Sequence, residues 1–164
     1  MQRSLLALLG STLFAGLGPA HVTKPPSVQG VWQAVQVTVT GPSPRTVMIP
    51  EPRANLTTLT ATHYSRVEVH AEGPRSTSFD AASATATELR AVWGPFVGEA
   101  GRYEVSGNVI TMRPLAAKNP STMARGAFTT HTFRLQGDTL WVTDQGNQNG
   151  PIANPVTAKL VRVE

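Results

Sequence analysis

His63, Ser65 and His131 are the side chains best suited to chemistry in this chain. His63 and Ser65 share a strand phase with Val67 and Val69, and His131 shares one with Phe133 and Leu135. All three polar groups, together with Phe133, are therefore expected to face the interior of a sheet-built core. There they would orient a carbonyl, hydroxyl or carboxylate while apolar walls supply most of the affinity. The competing reading is structural: they sit near an opening of the sheet and hydrogen-bond to one another and to the backbone, as buried polar groups normally do. A histidine within a cavity can also act as acid or base, so a small isomerase or hydrolase using His63 or His131 is the alternative to a binding protein.

More demanding chemistry finds little support. His63, His131 and Asp144 could in principle ligate zinc, or one histidine a haem, but they have no close ligand spacing. Ser65, His131 and Asp144 could be assembled into a hydrolase triad, yet no Gly-x-Ser-x-Gly nucleophile elbow is present. Gly94, Gly98 and Gly101 lack the strand-to-helix context of a phosphate-cradling loop. With no cysteine there is no disulfide, thiolate site or lipidated cysteine. No catalytic residue, metal ligand or cofactor is assigned.

At 164 residues the chain fits one domain, and 40% hydrophobic with 15% charged residues suits strands with one wet face. Arg3, the apolar stretch from Leu5 to Leu17, and the small residues Gly18 and Ala20 read as a secretory signal (1–20), cleaved after about Ala20. The expected location is thus the bacterial periplasm or the medium, with no stable membrane insertion after cleavage, because the apolar run is broken by Gly10 and Gly16 and is too short to span. Loss of Arg3 leaves 13 basic against 10 acidic side chains, and the arginines from Arg45 to Arg162 are scattered singly. That argues against a nucleic-acid partner, which calls for a clustered basic patch. Oligomeric state is not readable. Asn55-Leu56-Thr57 matches a glycosylation sequon.

Residues 21–29 read as a linker containing Pro25 and Pro26, and 30–164 as the domain. Val31, Val35, Val37 and Val39 alternate with polar residues in a first strand that Gly41-Pro42-Ser43-Pro44 ends. A β-rich stretch covers Leu56–Ala71; its phase turns Tyr64 outward unless a turn or bulge near Thr62 resets the register. Thr85 and Glu88 form a capping box for one short helix, about 84–93, with Leu89, Val92 and Trp93 on one face. That face is expected to lie on the sheet or across an open end. Hairpins turn at Gly107-Asn108 and Gly137-Asp138, one helical turn follows Pro120, and a last strand runs from Val156 to Val163. Core positions include Ile110, Met112, Leu140 and Val142. Trp141, opposite in phase to Leu140, is expected on the outside, at a sheet face covered by the helix or at an association surface, with the helix's Trp93 as its partner if both are buried. Seven or eight strands in a meander favour closure into a barrel.

Gly30-Val31-Trp32, just behind a leader, resembles the Gly-x-Trp opening of the lipocalin superfamily. The chain is more specifically similar to a bacterial lipocalin-like domain family over about Gly30–Glu164, through Thr62-His63-Tyr64-Ser65, Ala91-Val92-Trp93-Gly94-Pro95-Phe96, Gly101-Arg102-Tyr103-Glu104-Val105-Ser106-Gly107, Lys118-Asn119-Pro120 and Thr132–Leu140. The resemblance implies an all-β, antiparallel up-and-down barrel of about eight strands with one short helix. It also implies that Arg162 covers Trp32 beside Gly30 to close one end. It carries no reaction. An eight-stranded barrel is either filled by side chains or open to one small ligand, and the expected function is binding of a small, mostly apolar molecule by an exported protein.

Overall fold

A computed structural model describes residues 27–51, 54–70 and 79–164. The expected signal segment lies outside them. Among the described residues there are ten strands: β1 (Gly30–Val39), β2 (Arg45–Met48), β3 (Asn55–Leu59), β4 (His63–Val69), β5 (Phe96–Ser106), β6 (Val109–Ala117), β7 (Thr129–Gln136), β8 (Thr139–Asn147), β9 (Gly150–Pro151) and β10 (Val156–Arg162). The same residues hold one α-helix, α1 (Ala86–Trp93), and one 3-10 turn, Pro120–Met123. Among the described residues no helix is long and apolar enough to cross a membrane.

Eight of the strands close into an antiparallel barrel in the order β1-β3-β4-β5-β6-β7-β8-β10, with β10 paired back to β1. Closure removes the exposed edges that an open sheet of this size would present. The exposed strand β2 pairs with the upper half of β1, whereas β3 pairs with its lower half. Sequence patterning misses β2 because it carries no buried face.

Both expected hairpins are present. Gly107 and Gly137 adopt φ of 59° and 55°, and among the described residues no non-glycine has positive φ, so each turn has the left-handed first and right-handed second residue of a type II′ connection. These turns and both ends of the domain lie at one end of the barrel, which is packed solid. Trp32 and Ile110 are fully buried and Leu140 nearly so, joined by Leu59, Tyr103 and Leu160. Val28, a linker residue by sequence, belongs to this core and accepts a hydrogen bond from the Trp32 indole at 2.9 Å. Phe133, Leu135 and Val142 pack against it half-buried.

The guanidinium of Arg162 stands 4.1 Å from the Trp32 ring and donates to the carbonyls of Gln29 and Ser27 at 2.6 and 3.0 Å. Gly30, at φ 140°, lets the chain pass beneath it: a Cβ there would overlap Arg162 and sit 2.7 Å from the Glu164 carbonyl oxygen.

The helix differs from expectation in its setting. Thr85 caps it and the reciprocal capping box with Glu88 forms, but none of its residues is buried. Trp141 is not its partner either. That ring lies on the outer wall between Arg134, 3.6 Å away, and Lys159, 5.9 Å away, which flank it in register on β7 and β10. Of the alternatives for this residue, the structure shows an outward indole flanked by two cations on neighbouring strands.

Candidate functional site

The inner wall of the barrel changes character above the packed layer. On β4 the phase is the reverse of the sequence expectation: Tyr64 is 3% exposed, while His63 and Ser65 are exposed on the outside. Arg66 and Glu68 follow Tyr64 inward, and Val67, 45% exposed, points out. The inversion has a physical cause. Arg66 donates to Glu68 at 2.6 and 3.2 Å along the same face, so the two charges compensate each other inside. The valines go to the outer wall, where further apolar groups await them.

Opposite Arg66 on β5 is Glu99, and opposite Tyr64 is Gly101. Burial alone would lower the Arg66 pKa, but the Glu68 hydrogen bond and the charges of Glu68, Glu99 and Asp144 outweigh it and raise it. For Glu68 burial acts to raise the pKa, yet the hydrogen bond and charge of Arg66, followed by those of His70, hold it below the ordinary carboxylate value. The Tyr64 hydroxyl is pushed well above its ordinary value, by burial first and then by the negative charge of Glu99.

His131 does face inward and is buried. Its Nδ1 is hydrogen-bonded to Asp144 Oδ1 at 2.9 Å and its Nε2 to Thr129 Oγ1 at 3.0 Å. Both nitrogens are therefore hydrogen-bonded within the protein. Phe133 lies in the same phase, below it. The sequence-selected residues are thus divided: His131 and Phe133 inside, His63 and Ser65 outside, with His63 Nδ1 bonded to Thr62 Oγ1 at 2.9 Å. Neither the zinc set nor the serine triad is assembled. Among the described residues no group of three or more His, Asp or Glu is placed to hold a metal ion.

No family model and no curated protein matches the chain. Among solved structures it is similar to an uncharacterized protein from Bacteroides eggerthii, at 8% identity and a TM-score of 0.43, covering 82% of this chain and 98% of that one.

A second site lies outside the barrel, and it is apolar. Helix α1 stands off the outer wall of β4 and β5, leaving a groove of about 750 Å³ lined by Leu89, Val92 and Trp93 of the helix, Phe79 before it, and Val69 and Phe96 of the wall. Arg90 is the one charged residue among the described lining. Trp93 and Phe96 flank the floor with ring centroids 5.4 Å apart.

The helix is held at this distance by its C-terminal end. Lys118, at the end of β6, donates to the carbonyls of Trp93, Gly94 and Phe96 at 2.6, 2.9 and 2.8 Å. An ammonium there satisfies carbonyls that the helix leaves open and complements its dipole. The sequence does show the apolar stripe of α1; what it does not show is that the stripe faces a gap.

Proposed function

We propose that this protein is a non-catalytic binding module for a small, mostly apolar ligand, and that the ligand lies in the groove between α1 and the outer wall of β4–β5. The observation that carries this reading is the groove itself. About 750 Å³ falls within the roughly 300–1,000 Å³ of small-molecule sites, and its lining is aliphatic and aromatic with one cation. The barrel interior supports such a ligand less well, because its lower half is filled by Trp32, Ile110 and Leu140 and its upper half is charged. Arg90 at the groove makes an acyl chain ending in a carboxylate the best-matched chemistry. Export of the protein, read from residues 1–20, would make the ligand an extracytoplasmic one.

Calorimetric titration of the mature chain with decanoate tests the proposal. One saturable site is expected, weakened about tenfold or more by Trp93→Ala, because an aromatic contact of this size contributes about 2 kcal/mol. Absence of saturable binding, or binding indifferent to Trp93→Ala, would contradict it.

A further inference from the structure

Turning His63 and Ser65 to the outer wall puts them in line with two arginines. Tyr64, Gly101 and Tyr103 are buried, so by alternation His63, Ser65, Ala100 and Arg102 face out. Met112 is buried on β6, and Arg113 beside it faces out. Strand register sets His63 opposite Arg102, and Arg102 opposite Arg113. Three exposed basic side chains therefore cross β4, β5 and β6 in one row.

Such a row is costly when empty, because like charges directly opposite one another on neighbouring strands weaken a sheet. Among the described residues neither guanidinium has an ion pair or a hydrogen bond, and Arg113 has only the Phe128 ring, 5.7 Å away. Glu104 faces out two residues along β5, opposite Thr111, and forms no ion pair with either arginine. The adjacent row is small: Ser65, Ala100 and Ala116 stand in register, which keeps the wall low beside the arginines and adds one hydroxyl. His63 has its Nδ1 on Thr62 Oγ1, and its Nε2 has no partner among the described residues.

We propose that this row is an anion site, in which Arg102 and Arg113 together hold the phosphate of a small soluble phosphomonoester, with His63 and Ser65 at its edge. Such a phosphate presents three acceptor oxygens, and guanidinium forks match them with paired charge-assisted hydrogen bonds. Its negative charge would replace repulsion between the arginines by attraction to a shared partner. The exposed setting makes the affinity modest and sensitive to salt. The row lies six residues along β5 from Phe96, about 20 Å by strand rise, so it is separate from the groove under α1.

The probe is methyl phosphate, titrated into the isotopically labelled mature chain at constant ionic strength and neutral pH and followed through the arginine Nε–H resonances. The Arg102 and Arg113 signals should move together and saturate. Affinity should fall about tenfold or more in Arg102→Gln, which loses a charge-assisted hydrogen bond. Arg134→Gln, which removes a cation from another part of the wall, should leave the affinity unchanged. Melting supplies an independent reading. Without ligand, Arg102→Gln should melt at or above the wild-type temperature, because the in-register repulsion is gone, and the rise that methyl phosphate gives the wild type should disappear. No saturable shift at the two arginines, equal weakening by Arg134→Gln, or a ligand-free Arg102→Gln that melts well below the wild type would each overturn the proposal. Binding to phosphatidate vesicles with no response to methyl phosphate would assign the phosphate to a lipid headgroup and contradict the soluble ligand.

Discussion

Asn55 shows how much a single side chain does in this barrel. Its amide accepts from the Ala34 N–H at 2.6 Å and donates to the Ala34 carbonyl at 3.1 Å. It does so where β1 changes partner from β3 to β2 and its register with β10 shifts between Ala34 and Gln36. One amide thus replaces a missing strand contact at a bulge. Asn55→Ala should destabilise the fold by about 1–3 kcal/mol in urea unfolding, the cost of orphaning two backbone groups. The triplet containing Asn55 is legible as a sequon, but the partner is 21 residues away and invisible to local reading.

Glu68 is the residue through which acid should act. Its folded pKa is depressed, because Arg66 and His70 together outweigh the burial that would raise it. A depressed folded value means that the carboxylate stabilises the protein fully above its unfolded pKa of about 4.3, and that this contribution fades as pH falls through the lower folded value. Wild-type stability should therefore drop below about pH 4 more steeply than that of Glu68→Gln, as a pH series of denaturant midpoints would show. The strand phase around Glu68 runs against the sequence pattern, because alternation rewards apolar residues facing in. Here an internally paired Arg–Glu faces in, and Val67 and Val69 face out, Val69 into the groove beside the helix.

At the scale of elements, local signals translated well. The capping box of α1, the glycine turns after β5 and β7, and the turn after Pro120 are each set by a few neighbouring residues, so the sequence displays them directly. Placement of α1 was not legible, because an apolar stripe demands a cover without naming one. The position depends on Lys118, which is 25 residues beyond the Trp93 carbonyl it binds. Lys118→Met keeps the stem and removes the three donors. Amide exchange in Ala86–Trp93 should accelerate while the barrel strands keep their protection, since the helix buries no residue of its own. Loss of global cooperativity in this variant would show instead that α1 belongs to the core.

For the whole molecule, the closed end and the open end are chemically distinct. Arg162 joins the last strand to the start of the first, covering Trp32 and bonding to Gln29, Ser27 and Asp138. Arg162→Ala should lower unfolding stability by about 1–3 kcal/mol, as the Trp32 ring loses its cover and two carbonyls lose their donor. The resemblance to lipocalin-like proteins leads to an expectation of a barrel, and eight strands do close. The apolar groove under α1 lies outside the wall, apart from the interior that the resemblance suggests as the place for a ligand. Alternation along strands reveals closure, whereas the division of volume between the inside and outside of the wall depends on which side chains cross the axis.

The most direct test of the binding account is a methyl-resolved NMR map of the mature chain with decanoate. Perturbations should concentrate at Val69, Leu89 and Val92, which line the groove, and leave Ile110 and Leu140 unmoved. A map centred on Ile110, Leu140 and Val142 would place the ligand inside the barrel and contradict the account.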